Sequence, residues 1–99
     1  MNCENHKNII ITKHAYLRLK ERNGWNRKAS RRMISRIYTE GIRQGEVKGY
    51  LKMWVNMKCK YAEEGDEYIL YGDKLYIFNE TRMLTVITVP TRTYLEKMA

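Results

Sequence analysis

Four side chains in the stretch from Ile11 to Gly24, ITKHAYLRLKERNG, have the types and spacing to act on a phosphodiester: His14, Arg18, Glu21 and Arg22. Cleaving RNA without a metal needs a base for the 2′-hydroxyl proton, an acid for the leaving 5′-oxygen, and cations to stabilise the phosphorane-like transition state. His14 suits the acid or base role, since an imidazole ordinarily titrates at about 6.5. Arg18 and Arg22 offer bidentate forks for the scissile phosphate, while Glu21 can act as base or orient a neighbour. A hydroxyl from the C-terminal half could complete the set, from Thr85 or from Thr88, Tyr71 or Tyr76. Each residue also has a structural reading: His14 as a partner of nearby backbone, Glu21 with an arginine as a surface ion pair worth about 0–1 kcal/mol.

The elements that would hold these groups are marked locally. Thr12 is an N-cap, Ile11 and Tyr16 stand at the positions of a hydrophobic staple, and Gly24 suits a left-handed stop. At about 100° per residue, Ala15, Tyr16 and Leu19 share one side of this helix, and the polar group falls in the sector beside it, where core meets solvent. Asn23-Gly24 is a turn signal, and Asn26 can cap a second helix over about 27–40, closed by Gly41. Ile34, Ile37, Tyr38 and Gly41 form its buried stripe. Arg27, Lys28, Arg31, Arg32 and Arg36 occupy the remaining faces with no acid before Glu40, an uncompensated arrangement that points to phosphate contact.

Charge follows the same division. Residues 1–60 hold fifteen of the nineteen lysines and arginines against four acids, a net of +11, whereas residues 61–99 carry −3. A cationic half of this kind attracts polyanions, nucleic acid first, with an acidic protein or an anionic membrane surface as alternatives. At 99 residues and 43% hydrophobic, the chain supports one core. No spanning or export segment is evident, so a cytoplasmic protein is expected, and Cys3 and Cys59 read as free thiols rather than a disulfide framework. His6 and His14 lack ligand-spaced Cys or carboxylate neighbours, so neither metal nor cofactor is expected. Eight tyrosines, Trp25 and Trp54 could stack on bases, but with a single Phe in the chain they are expected mainly to build the core.

Residues 1–8 read as a flexible N-terminus and 9–99 as one α+β domain, with a short strand before the first helix. Residues 47–61 fit both periodicities. A strand of that length is unusual in a small domain, and Met and Lys favour helix, so a third helix over about 50–61 is preferred. Three strands follow, over about 67–71, 74–78 and 83–89, then Pro90 and a short terminal helix over 91–99. The architecture expected is N-terminal helices packed on one face of a small C-terminal antiparallel meander.

The motif His14-Ala15-x-x-Arg18-x-x-Glu21-Arg22 (HAxxRxxER), followed by a second helix and a meander containing YGDKLYIF and LTVITV, resembles a family of small bacterial and phage proteins. These in turn look like the RelE/barnase-like ribonuclease toxins, including the BrnT toxins. The likeness spans about Ile9 to Pro90. It implies a metal-independent endoribonuclease without cofactor, acting on RNA, paired with an acidic protein such as an antitoxin, and it favours a helix at 50–61. The alternative expectation is a non-enzymatic module that binds nucleic acid or protein, such as a phage-encoded inhibitor of host defence.

Overall fold

The computed structural model describes residues 8–98. Residues 1–7, with Cys3 and His6, and Ala99 lie outside the described residues, so the expected flexible N-terminus is represented only by Asn8, which is exposed and in neither helix nor strand. Along the chain run β1 (Ile10–Ile11), α1 (Lys13–Asn23), α2 (Arg27–Glu40), β2 (Ile42–Arg43), α3 (Tyr50–Lys58), β3 (Asp66–Tyr71), β4 (Lys74–Asn79), β5 (Arg82–Thr88) and α4 (Arg92–Met98). One 3-10 turn precedes α3 and another, Cys59–Tyr61, extends it to the expected end. The helix alternative for 50–61 therefore holds.

The meander forms the centre of a larger sheet. β3, β4 and β5 pair antiparallel in the order β1-β5-β4-β3-β2, with two-residue strands on both edges. β2 pairs antiparallel with β3, but β1 runs parallel to β5, Ile10 opposite Arg82 and Ile11 opposite Met83, which makes the sheet mixed. A parallel partner is reached because the chain returns to β5 from the far N-terminus rather than through a hairpin.

Helices cover both faces of the sheet, which corrects the expectation of helices on one face. In β4, four consecutive side chains are buried, Leu75 at 0%, Tyr76 at 2%, Ile77 at 8% and Phe78 at 0% exposed. Strand alternation sends them to opposite sides, so both sides need cover. Tyr76 and Phe78 join Ala15, Leu19, Ile34, Ile37, Ile69, Met83 and Val86 beneath α1 and α2. Leu75 and Leu70 join Val47, Trp54, Val55 and Leu95 beneath α3 and α4. The apolar runs YILY and LYIF carried this information as continuity where a one-sided sheet would alternate.

The end of α2 is tied to the sheet through Tyr38. Its ring meets Phe78 edge-on at 5.1 Å, its hydroxyl donates to Glu67 Oε1 at 2.8 Å, and the Arg43 guanidinium lies 4.8 Å from its centroid. The helix can approach β3 this closely because Gly41 has no side chain: a Cβ there would collide with Ile69 Cγ2 and lie 2.7 Å from the Ile37 carbonyl oxygen. Gly41→Ala should therefore lower stability by about 1–3 kcal/mol, the usual cost of overpacking. Gly45→Ala, where a Cβ meets nothing within 4 Å, should leave the urea midpoint unchanged or slightly raised.

Candidate nucleic-acid interface

α1 and α2 are joined by a corner of three residues, Gly24, Trp25 and Asn26. Gly24 adopts φ 73°, and its N–H donates to the Lys20 carbonyl at 3.1 Å while that of Trp25 donates to the Leu19 carbonyl at 3.4 Å. These bonds satisfy the Leu19 and Lys20 carbonyls in the last turn of α1 and require the left-handed conformation that glycine adopts at least cost. Asn26 then caps α2 by accepting from the Ala29 N–H at 2.8 Å. At the other end of α1, Thr12 Oγ1 accepts from Ala15 N–H at 3.1 Å, the expected cap.

The corner sets the two helices side by side with an open groove of about 690 Å³ between them. Tyr16, Leu17 and Trp25 supply its apolar surface, and Lys20, Arg27, Lys28 and Arg31 its charge, with no acid in the lining. None of these four cations forms an ion pair with another described residue. Arg27 stacks its guanidinium 4.1 Å over the Tyr16 ring, presenting a flat cationic plane beside an aromatic one. Tyr16 and Trp25 also pack against the core, with one side of each toward the groove; Trp54 and Tyr76 are buried, but Tyr50, Tyr61 and Tyr94 are exposed, so the expectation that the aromatics mainly build the core holds only in part.

The residues singled out in the sequence divide between this groove and other places. Arg27, Lys28 and Arg31 line it. Arg32 and Arg36 are exposed outside its lining, and Arg36 lies 3.7 Å from Glu40 in a loose ion pair. His14 and Arg18 sit about 160–200° around α1 from Tyr16 and from Lys20 respectively, on the opposite flank. His14 is exposed, and its side chain makes no hydrogen bond to another described residue. Arg18 is paired to Glu21 at 2.6 Å.

Arg22 donates to the Val86 carbonyl, reaching over the part of β5 that the two-residue β1 leaves unpaired. Thr85 pairs with Ile77 and, by alternation, points to the α3 and α4 side, so α1 and Thr85 lie on opposite faces of the sheet. Tyr76 is on the α1 side, where its buried hydroxyl accepts from Asn23 Nδ2 at 2.9 Å, whereas Thr88, exposed at the end of β5, lines a groove with α3 and α4. Ala15 is fully buried against the sheet. Among the described residues, no group of three or more His, Cys, Asp or Glu could hold a metal ion, and no helix is long and apolar enough to cross a membrane.

Lys20 and Leu17 were not evident from the sequence as site residues. The signal for them was the three-residue connection, which forces the flank of α1 bearing Tyr16 and Lys20 against the start of α2. Two consequences of the local bonding can be measured. Arg22→Ala should reduce stability by about 1 kcal/mol, the modest value of a hydrogen bond from an exposed donor, without weakening polyanion binding. Burial, with smaller contributions from Asp73 and Tyr71, holds the Tyr76 phenol above its ordinary range against an opposing effect of the Asn23 hydrogen bond. The folded state thus retains this proton more tightly, and its stabilisation is complete below about pH 10 and lost as pH rises through the folded value. Tyr76→Phe should accordingly lose less stability than wild type between neutral and strongly alkaline pH in urea titrations. No protein-family model, curated protein or solved structure matches the chain, so its functional reading rests on residues and geometry.

Proposed function

We propose that the protein binds single-stranded nucleic acid, RNA in the first instance, in the groove between α1 and α2. The observation that carries this reading is one cleft holding four cations that form no ion pair among the described residues, beside two aromatic side chains. Single strands are held by this combination: cations follow the phosphates, and unstacked bases lie against aromatic rings or guanidinium planes. A duplex buries its bases and would leave Tyr16 and Trp25 unused. Lys20 and Arg27 approach from different helices, so the backbone would be gripped from both walls.

A second reading is metal-independent RNA cleavage from the opposite flank of α1. It is favoured by the exposure of His14 one helical turn from Arg18, and by the likeness of HAxxRxxER to the ribonuclease toxins. In that reading Arg18 swings from Glu21 to the phosphate, the freed Glu21 carboxylate takes the 2′-hydroxyl proton as that oxygen attacks phosphorus, protonated His14 gives a proton to the departing 5′-oxygen, and the groove holds RNA on the other side of the helix.

One set of measurements separates the two. Fluorescence anisotropy of a labelled oligouridylate in EDTA, at salt from about 50 to 200 mM, should give a log–log slope that becomes shallower by about 0.7 for each cation removed in Lys28→Ala and Arg31→Ala. Arg32→Ala should change it less, and the matching DNA strand reports whether the 2′-hydroxyl contributes. Affinity that ignores both groove substitutions would overturn the binding proposal. Oligomer shortened by wild type, and left intact by both His14→Ala and Arg18→Ala, would establish cleavage; uncut oligomer with wild type would sink that second reading.

A further inference from the structure

The opposite side of the molecule carries a surface that nucleic-acid binding does not use. Among the described residues eight large apolar side chains are exposed, and five of them, Tyr50, Met53, Met57, Tyr61 and Tyr94, belong to α3, the 3-10 turn that extends it and α4. Helix α3 already buries Trp54 and Val55 toward the sheet, with Leu51 half-buried beside them. It is therefore apolar on a second flank, where Tyr50, Met53 and Met57 follow one another at i, i+3 and i+7. The stripe is about 10 Å long at 1.5 Å per residue, two turns of helix. Beside it, between α3, the end of β5 and α4, runs an open groove of about 440 Å³ lined by Trp54, Met57, Ile87, Pro90 and Tyr94.

The charge around this patch is of one sign over most of its length. Tyr50 to Tyr61 contains Lys52, Lys58 and Lys60 and no acid. Lys58 Nζ stands 5.7 Å from the Trp54 ring, and the Arg92 guanidinium 5.3 Å from that of Tyr50. The one acid on α4, Glu96, is taken up by Arg92 at 3.1 Å. We infer that the α3–α4 face docks an acidic amphipathic helix of another protein, with apolar side chains laid along Tyr50, Met53 and Met57 and into the groove, and carboxylates meeting the surrounding lysines. Exposed methionines suit such a role because the unbranched thioether adapts to the shape it meets. A second copy of the chain is disfavoured on charge, since each copy carries +8 and both would bring lysine rims together. Nucleic acid is the competing occupant, because Tyr50, Tyr61 and Tyr94 offer rings beside Lys58, Lys60 and Arg92; the methionines Met53 and Met57 at the centre of the stripe, on which no base stacks, favour a protein helix.

The test uses the whole chain and a synthetic labelled helix with leucines at i, i+3, i+4 and i+7 and glutamates elsewhere. Wild type should bind it, the scrambled peptide should bind much more weakly, and affinity should fall with added salt. Met53→Ser with Met57→Ser should weaken binding by about tenfold or more. Both positions are solvent-exposed, so the thermal midpoint should stay unchanged, and oligouridylate affinity should remain at its wild-type value. Lys28→Ala, which probes the other groove, should leave peptide binding intact. Equal affinity for the scrambled peptide, or indifference to the paired serine substitutions, would overturn the proposal. So would light scattering that shows a dimer broken by those substitutions, which would make a second copy the occupant. Competition by oligouridylate for the peptide would also overturn it, since the face would then hold nucleic acid.

Discussion

The corner at Gly24, Trp25 and Asn26 is the constraint on which the cationic groove depends. A left-handed residue ends α1 and an asparagine cap starts α2 within three residues, so the two helices have little freedom of relative placement once their apolar stripes sit on the same sheet face. Lys20 is thereby brought to Arg27, Lys28 and Arg31, although like charges in one cleft repel. Burial of Ala15, Leu19, Ile34 and Ile37 offsets that repulsion, because apolar burial contributes about 1.5–3 kcal/mol for a large side chain while exposed charges interact weakly through water. The clustering is thus a local cost supported by the core, the pattern expected where charge serves a partner rather than the fold.

The two-sided sheet separates the chemistry of the molecule. Tyr76 and Phe78 face α1 and α2, whose outer surfaces are cationic, and Leu75 faces α3 and α4, whose outer surface is methionine and tyrosine ringed by lysine. One strand therefore supports both surfaces, and neither obstructs the other. The same arrangement gives HAxxRxxER a structural account at two of its positions: Ala15 is small enough to bring α1 down onto the sheet, and Arg22 covers the β5 carbonyl left open by the short β1. His14 is the member of the motif without a hydrogen-bonded or ion-pair role of its own among the described residues.

What the chain determined by itself was local. Thr12, Gly24 and Asn26 set the ends of α1 and α2 because capping bonds span at most a few residues, and the turn residues at 72–73 and 79–82 separate the strands for the same reason. Helix periodicity identified the buried stripe of α2, and the clustering of cations in the first 60 residues was plain from composition.

Tertiary structure decided everything that depends on pairing between distant segments. The register of β5 against β4 placed Thr85 on the side away from α1, the parallel docking of β1 made the sheet mixed, and the carbonyl of Val86 engaged Arg22 across sixty-four positions. Lys20 and Leu17 entered the groove only because the corner turned their flank toward α2. The physical reason is common to all of these. A residue's face within its own element follows from its spacing, but what that face meets follows from the least-cost burial of all the apolar faces together, and no stretch of sequence contains that sum.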